Sequence, residues 1–261
     1  MSAQNQLAVL FEGNGDFSKF EELAERLNVP IRQAREPNPE AFFLTWRDGE
    51  LKLLDKELFK KGGLSVDIAP RNGEQRSYPA PKEGAFAQAI GRKTKTVIDA
   101  TTGWAQDSLC LFRMGYDVTC IERSPMMAEL LADGFERLMQ ESWVKKLELS
   151  PPTLLSGNAI ELLKNLESSP DCIYLDPMFP PKRKKSALSK KTMTILQEVV
   201  GEDLDKNELF ETALAATGKR VVVKSPDYAE PLGGKPTESF GSKLLRYDVY
   251  LTDRAKFPTQ S

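Results

Sequence analysis

From Ala85 onward, short apolar segments alternate with segments that have the apolar spacing of a helix. The apolar segments are 96–100, 117–121, 147–149 or 153–155, 172–175, 220–224 and 244–251. The main helical patterns between them are 108–114, 126–140, 158–166, 188–200 and 209–216. Strands joined by crossover helices pair in parallel, with helices on both faces of the sheet. The sequence therefore predicts an α/β fold with a mostly parallel, doubly wound sheet.

Residues 1–70 have a different pattern, which predicts a small α+β lobe. Strand or helix patterns cover 6–11, 18–27, 41–46, 50–54 and 63–69. Asp48-Gly49 between two apolar runs is typical of a β-hairpin turn, and Ser18 is a candidate N-cap for the helix. Residues 70–84 are rich in Pro, Gly, Arg and Lys and are interpreted as a linker. We therefore predict an N-terminal α+β lobe with its linker over residues 1–80 and a second domain over residues 81–261.

The composition excludes several classes of chemistry. The 261-residue chain contains no histidine, which rules out Ser-His-Asp and Cys-His catalysis and His-ligated metals. Its three cysteines, Cys110, Cys120 and Cys172, form no C-x-x-C pair, so we expect reduced thiols, a cytoplasmic protein and no metal site. We expect no signal peptide and no membrane association, since no stretch is apolar enough. The formal net charge of −2 means that nucleic-acid binding would need a local basic patch.

The turn after the first strand of the second domain carries acids instead of a glycine-rich phosphate site. The segment D-A-T-T-G-W-A-Q-D contains one glycine, Gly103, which allows a tight turn close to a ligand. The G-x-G-x-x-G pattern of dinucleotide sites is absent. Asp99 and Asp107 flank the turn, and acids there favour a cationic ligand over a pyrophosphate. S-adenosylmethionine, with its ammonium and sulfonium groups, fits this requirement; the alternative is that Asp107 simply caps the next helix.

A further acid, Glu122, follows the second strand about twenty residues after Gly103. At this spacing a carboxylate can accept hydrogen bonds from both hydroxyls of a nucleoside ribose. Asn158 and Ala159 come after the third strand, where an adenine ring would lie. These strand ends together predict a nucleoside cofactor at the carboxyl edge of the sheet.

The fourth strand, Cys172–Leu175, ends in Asp176-Pro177-Met178-Phe179. Proline stops the strand, which leaves a carboxylate, carbonyls and an aromatic ring at the ligand-binding edge. An exocyclic base amine is a poor nucleophile because its lone pair is delocalised into the ring. The Asp176 carboxylate and the Pro177 carbonyl can hold such an amine toward a methyl donor, and Phe179 can stack on an extruded base. The pattern predicts an amino-methyltransferase with Asp176, Pro177 and Phe179 as catalytic residues.

A basic segment follows directly and predicts contact with a polyanion. Its six basic residues are Lys182, Arg183, Lys184, Lys185, Lys190 and Lys191. Lysine and arginine bind nucleic-acid phosphates without reading the base sequence, so this segment is a candidate RNA contact. Lys224 and Tyr228, at and after the fifth strand, lie on the same predicted sheet edge and are candidates for the target-base side. The alternatives are a solvated loop for the basic segment and core packing for Tyr228.

Several segments together resemble the ribosomal RNA small subunit methyltransferase J family. They are D-A-T-T-G-W-A-Q-D-S, C-I-E-R-S-P, I-Y-L-D-P-M-F-P, K-S-A-L-S-K-K-T-M and V-V-V-K-S-P-D-Y-A, and the similarity spans about Leu64 to Leu251. The resemblance implies a Rossmann-like class I S-adenosylmethionine-dependent methyltransferase that modifies N2 of a guanine in 16S ribosomal RNA. It also implies that the partner is this RNA or the small ribosomal subunit.

The resemblance also implies particular cofactor contacts. The positions that fall on the family's contact residues are Gln106, Asp107, Glu122, Arg123, Asn158, Ala159 and Asp176. Gln106 stands where the family has arginine, and Asn158-Ala159 stands where it has two serines. At these departures the family's side-chain contacts are not implied, whereas contacts through the backbone could be kept. Asp107, Glu122 and Asp176 match the family pattern.

Three other functions are compatible with parts of the pattern. An amino-methyltransferase that acts on DNA adenine or on a protein glutamine shares the Asp/Asn-Pro-Pro-Tyr type of strand end. A non-catalytic RNA-binding module could keep the same fold, but the intact Asp107, Glu122 and Asp176 argue against it. A nicotinamide-dependent oxidoreductase is disfavoured because the glycines of its phosphate site are missing.

Overall fold

The computed structural model describes residues 6–13, 15–33, 40–69, 78–179, 205–241 and 244–252. The strands are β1 Leu7–Phe11, β2 Ile31–Gln33, β3 Phe42–Arg47, β4 Glu50–Leu54, β5 Thr96–Asp99, β6 Asp117–Glu122, β7 Thr153–Ser156, β8 Cys172–Leu175, β9 Arg220–Pro226, β10 Glu238–Gly241 and β11 Leu245–Leu251. The helices are α1 Phe17–Leu27, α2 Leu58–Lys61, α3 Gly84–Ile90, α4 Gln106–Arg113, α5 Pro125–Gln140, α6 Ser142–Lys146, α7 Ala159–Lys164 and α8 Lys206–Ala216.

The second half of the chain builds a seven-stranded sheet in the order β10-β11-β9-β8-β5-β6-β7. Strands β5 to β9 pair in parallel, and β11 is antiparallel to both of its neighbours. The prediction of a mostly parallel α/β sheet is therefore confirmed. The chain leaves β5 toward β6 and later returns on its other side as β8. This reversal is the topological switch point where open α/β sheets bind ligands.

The central strands form because their apolar runs can be buried on both faces, as parallel sheets require. All four residues of Cys172–Leu175 are buried, and so are Val221, Val222 and Val223 in the neighbouring strand. The two candidates for the third strand are resolved in favour of Thr153–Ser156, which pairs with β6. The predicted helix 188–200 lies outside the described residues.

The N-terminal part builds a separate four-stranded sheet in the order β2-β1-β3-β4. The predicted hairpin is present, since β3 and β4 pair across Asp48-Gly49. Both turn residues have positive φ, 54° and 79°, which a two-residue type I′ turn requires. Helix α1 begins one residue before the prediction, and its N-cap is Asp16, whose carboxylate accepts a hydrogen bond from the backbone N–H of Ser18. The proposed Ser18 cap was therefore wrong.

The predicted strand 63–69 is also wrong. Only Leu64 pairs, through an isolated bridge to Leu53. Beyond it, backbone carbonyls receive arginine side chains from the other part of the chain instead of a neighbouring strand. Arg137 donates to the carbonyl of Val66 at 2.9 Å, and Arg113 donates to the carbonyl of Ile68. Because these acceptors are satisfied by side chains, the segment remains irregular.

The two sheets meet at helix α5. Arg26 of α1 makes a two-bond contact with Glu129 of α5, with both distances at 2.9 Å. Gly134 of α5 lies so close to Val66 that an added Cβ would be 2.7 Å from its Cγ1. Buried side chains from both sheets form one continuous apolar cluster. The division of the chain near residue 80 thus remains a prediction.

The described residues also limit the available chemistry. Among them, no helix is long and apolar enough to cross a membrane. The same residues contain no group of three or more His, Cys, Asp or Glu that could hold a metal ion. All three cysteines are free and buried, and burial raises the pKa of Cys120 and of Cys172 to about 12. Both thiols therefore stay protonated and unreactive.

Candidate active site

An open cleft lies at the switch point of the large sheet, where α/β folds of this kind bind ligands. Residues from the ends of β5, β6, β7 and β8 line it together with the start of α8. They are Ala100, Thr101, Gly103, Ile121, Glu122, Arg123, Gly157, Asn158, Ala159, Ile160, Asp176, Met178, Asp205 and Leu209. The carboxyl edge of the sheet therefore forms the site, as the strand-end residues predict.

The turn after β5 is stabilised by hydrogen bonds to the side chain of Asp99. Its buried carboxylate accepts a hydrogen bond from the Ser108 hydroxyl at 2.5 Å and one from the backbone N–H of Thr101 at 3.1 Å. Burial raises the pKa of Asp99 to about 7, although both hydrogen bonds oppose that rise. Gly103 then continues the turn at a φ of 52°, in the left-handed region. Asp99 thus supports the turn and does not line the cleft.

Glu122, at the end of β6, is held by backbone groups. Its Oε2 accepts the N–H of Gly103 at 3.0 Å, and its Oε1 accepts the N–H of Ser124 at 2.7 Å. The residue is only 5% exposed, and burial raises its pKa while the two backbone N–H groups lower it. A carboxylate oxygen can accept more than one hydrogen bond, so both oxygens can still take ligand hydroxyls. Arg123, the next residue, lies 3.6 Å from Asp205.

The third strand contributes a helix start to the cleft. Asn158 is the N-cap of α7, and its Oδ1 accepts the N–H of Ile160 at 2.8 Å. The N–H of Gly157 donates to the carbonyl of Glu122 at 2.9 Å, which joins this segment to β6. Because the side-chain oxygen of Asn158 already caps the helix, its amide NH2 and the backbone groups of Asn158 and Ala159 are what this segment can offer a ligand.

Asp176 faces the cleft from the end of β8. Its backbone N–H donates to the Thr101 hydroxyl at 2.6 Å, which fixes the strand end against the first turn. Its side chain is 40% exposed to solvent. Pro177 is buried behind it, and Phe179 is half-buried with the Lys206 ammonium 5.2 Å from its ring centre. An exposed carboxylate therefore lines the cleft, and a half-buried aromatic ring follows it three residues later in the chain.

Behind Asp176, one lysine joins two strands and a helix. The Lys224 ammonium on β9 lies 2.8 Å from Oδ2 of Asp176 and 2.7 Å from Oδ2 of Asp107 on α4. The same Asp107 oxygen accepts the hydroxyl of Tyr174 at 2.7 Å. Burial disfavours the charge on Lys224, but the two carboxylates outweigh it and raise the pKa of Lys224 above its usual value. Lys224 is thus a permanently charged link between Asp107 and Asp176.

The predicted site residues divide into three groups by position. Those that line the cleft are Gly103, Glu122, Arg123, Asn158, Ala159 and Asp176. Those in elements next to it but outside its lining are Asp99, Gln106, Asp107, Pro177, Phe179, Lys224 and Tyr228. The basic residues Lys182, Arg183, Lys184, Lys185, Lys190 and Lys191 lie outside the described residues.

Some residues of the site were not predicted. Thr101 and Ser124 hold the two strand ends through their hydroxyl or backbone groups, and the Ser-Pro start of α5 was a signal for the second. Asp205 and Leu209 come from the start of α8, far along the sequence. No local pattern marks them, because only the return of α8 to the sheet brings them to the cleft.

The cleft fits a cationic nucleoside. Glu122 offers buried acceptors for ribose hydroxyls, and Asp176 adds a second, more exposed carboxylate to the lining. The turn at Gly103 presents backbone without a glycine-rich phosphate cradle. This donor and acceptor set suits the ammonium and sulfonium of S-adenosylmethionine better than a pyrophosphate.

Comparison with known proteins gives the same assignment. The family model described as "Putative SAM-dependent methyltransferase" matches residues 22–252. The ribosomal RNA small subunit methyltransferase J of Tolumonas auensis is 41% identical over 89% of this chain and 93% of its own length. The protein of the same name from Thioalkalivibrio sulfidiphilus is 38% identical over 90% of this chain and 93% of its own.

A solved structure agrees over the whole fold. The crystal structure of a SAM-dependent methyltransferase from Neisseria gonorrhoeae superposes with a TM-score of 0.70 at 26% sequence identity. The similarity covers 98% of this chain and 99% of the other. The fold is thus that of a Rossmann-like class I methyltransferase whose cofactor is S-adenosylmethionine. The chain belongs to the ribosomal RNA small subunit methyltransferase J family.

Proposed function

We propose that this protein transfers a methyl group from S-adenosylmethionine to the exocyclic N2 amine of a guanine in the 16S RNA of the small ribosomal subunit. The observation that carries the proposal is the exposed Asp176 carboxylate, which lines the same cleft as Glu122. The relatives' name supports a small-subunit RNA as the substrate. The protein would act in the cytoplasm, on this RNA or on the subunit that contains it.

On the cofactor side, the chain's own groups bind and orient the donor. Glu122 accepts the ribose hydroxyls, and Gly103 lets the backbone approach closely. Asn158 and Ala159 would border the base, and Asp176 would supply a carboxylate near the cationic centre. When bound, S-adenosylmethionine supplies a methyl group that its sulfonium makes electrophilic. The chain therefore needs neither a metal nor a nucleophilic side chain for this transfer.

On the acceptor side, Asp176 orients the amine. Its carboxylate accepts an N–H of the base amine, and the Pro177 carbonyl can accept another, so the nitrogen lone pair is directed toward the methyl group. As the new bond forms, the nitrogen gives up one proton, which the carboxylate accepts or passes to water. Phe179 offers a stacking face for the extruded base, worth roughly 1–3 kcal/mol. Most of the rate gain would come from alignment, since the donor is already reactive.

Contact with the RNA backbone is assigned to the basic segment between β8 and α8. Lys182, Arg183, Lys184, Lys185, Lys190 and Lys191 would bind phosphates on either side of the extruded base. Such contacts raise affinity without reading sequence and weaken steeply with salt. Tyr228, which is 39% exposed after β9, is a second candidate stacking surface.

The test is to map methylated bases in 16S RNA from cells with and without this protein. We expect one N2-methylguanosine to disappear when the protein is removed and to return when the wild-type chain is supplied. An RNA with an unchanged pattern of methylated guanines would overturn the proposal. Loss of a methyl group from an adenine instead would favour the adenine amino-methyltransferase alternative.

A further inference from the structure

We propose that Lys224 is a specificity-determining residue that donates a hydrogen bond to O6 of the target guanine, next to Asp176, which holds the N1–H and N2–H groups. The inference rests on the proposed function, because it specifies how the same site would select guanine. It narrows the role of Lys224 from a general position on the target-base side to a hydrogen bond with one atom of the base.

The contacts of Lys224 leave one donor for a ligand. A lysine ammonium has three N–H donors. Two of them point to Asp107 and Asp176, at 2.7 and 2.8 Å, and among the described residues the third has no partner. The Lys224 side chain is 19% exposed, so it is not fully buried, and its ammonium contacts Asp176, which lines the cleft. The third donor can therefore serve a base that is already bound at Asp176.

The acceptors of Asp176 and the donor of Lys224 are in the order that complements the Watson–Crick edge of guanine. That edge presents two donors, the N2 amine and N1–H, followed by one acceptor, O6. A carboxylate can accept from two neighbouring donors with its two oxygens. Lys224 contacts Oδ2 of Asp176. If N1–H is bound to this oxygen and the amine to the other, O6 faces the ammonium.

The same pair of residues rejects adenine. Adenine presents its N6 amine, a donor, beside N1, an acceptor, with no oxygen at all. In the pose that brings its amine to one oxygen of Asp176, the N1 lone pair meets the other oxygen, and adenine has no O6 to accept from the ammonium. A donor left without its acceptor and two acceptors that face each other both create selectivity against the wrong substrate. Lys224 would thus separate this site from the adenine alternative.

The ammonium of Lys224 is held in a fixed position, which a residue that selects the base requires. Asp107 contacts its ammonium in addition to Asp176, and Asp107 itself accepts a hydrogen bond from the hydroxyl of Tyr174. Burial, together with the nearby Asp107 carboxylate, raises the pKa of Tyr174 well above its usual value, so the hydroxyl remains a donor. A charge held from two sides loses little freedom when the base arrives, which favours discrimination.

The experiment compares guanine with 6-thioguanine at the mapped target position of a ligated 16S RNA. The thio analogue keeps N1–H and the N2 amine, but sulfur is a weak acceptor. Initial rates would be measured at low RNA concentration with wild type, Lys224→Met and the control Lys219→Met. Lys219 forms a lysine–aspartate pair of similar length, 2.8 Å to Asp171, at the amino end of the same strands.

We expect the wild type to prefer guanine about 10-fold, the loss of roughly one charge-assisted hydrogen bond. Lys224→Met should lower the guanine rate and bring the ratio close to one, while Lys219→Met keeps the wild-type ratio. A preference that persists in Lys224→Met would overturn the inference, because a purely structural lysine changes both rates equally. If the variant fails to fold, a wild type that methylates both bases equally overturns it as well. A wild type that methylates no 16S guanine would instead refute the proposed function, before any variant is compared.

Discussion

Two of the three carboxylates that line the cleft, those of Glu122 and Asp176, are held by the chain in different ways. Glu122 is 5% exposed and receives backbone N–H groups from Gly103 and Ser124. The Asp176 side chain is 40% exposed and receives the side chain of Lys224, 48 positions away. Backbone donors persist through most substitutions, whereas a lysine can be lost by one. The cofactor side should therefore tolerate sequence change, and the acceptor side should not.

The departures from the family pattern fall on the tolerant side. The resemblance to the family implies these departures at Gln106, Asn158 and Ala159, of which Asn158 and Ala159 line the cleft beside Glu122. The Oδ1 atom of Asn158 caps α7, so this side chain has a structural reason that does not depend on a ligand. On the acceptor side, Asp176 matches the family pattern. The comparison of the two sides leads to four predictions.

The largest effect is expected for Asp176→Ala, which removes the acceptor-side carboxylate. We expect the rate of methyl transfer to fall by about 10²–10⁴-fold, the usual contribution of a positioned acid or base. Single-turnover kinetics with saturating S-adenosylmethionine would measure it. Asp171→Ala, at the opposite end of the same strand, is the control and should keep its rate. If Asp176→Ala stays within threefold of wild type, Asp176 does not orient the amine.

The next effect concerns Asp99, whose buried carboxyl has a pKa raised to about 7 by burial. The folded protein then keeps a proton that the unfolded chain releases near pH 4, so stability falls as the pH rises from about 4 to about 7. At about 1.4 kcal/mol for each pKa unit, the loss is at most roughly 4 kcal/mol. Asp99→Asn should lack this loss. Urea unfolding of both proteins between pH 4 and pH 8 would show the divergence, and parallel curves would contradict it.

A smaller effect is expected for Glu122→Gln. An amide cannot accept with both terminal atoms, and its NH2 would face one of two backbone donors. We expect the Kd for S-adenosylmethionine to rise about 10- to 100-fold by calorimetry, as for a hydrogen bond to a charged group. Burial raises the pKa of Glu122. As the pH is lowered, the wild-type affinity for S-adenosylmethionine should therefore begin to fall at a higher pH than it would with an ordinary glutamate. Glu129→Gln on α5 is the matched control, and an equal loss in both variants would count against the assignment.

The smallest effect is expected for Asn158→Ala. Loss of the N-cap should lower the free energy of unfolding by about 1 kcal/mol, and Asn158→Ser should restore most of it. The Kd for S-adenosylmethionine should change by less than about threefold, since the backbone remains in place. A tenfold loss of affinity without a loss of stability would show that the Asn158 side chain contacts the cofactor. The cofactor side would then depend on side chains, as the acceptor side does.

Much of this arrangement follows from local sequence. Apolar runs ended by proline or by a single glycine predict β8 and the turn after β5, because burial on both faces and a tight turn leave few alternatives. The cleft-lining positions of Gly103, Glu122 and Asp176 follow from that, since parallel strands place their carboxyl ends together. The short strands Ile31–Gln33 and Glu238–Gly241 were not predicted. Strands of three or four residues at a sheet edge form through pairing with a neighbour and carry almost no local signal.

Contacts between side chains that are far apart in the sequence were the other part of the site that the sequence does not predict. The sequence places Asp107 after the glycine turn, but it does not reveal that Lys224 and Tyr174 bind its carboxylate in the folded chain. The partners are 117 and 67 positions away, and their contact depends on the order of β8 and β9 in the sheet. For the same reason Lys224 was assigned to RNA contact on its position alone.

The most direct test is nucleoside mass spectrometry of unmethylated 16S RNA, or of small subunits that contain it, after reaction with methyl-labelled S-adenosylmethionine and the purified protein. Wild type should place the label on N2 of one guanine, and Asp176→Ala should place none there in the same time. A label on another base or another atom, or equal labelling by the two proteins, would contradict an acceptor site for guanine N2 at Asp176.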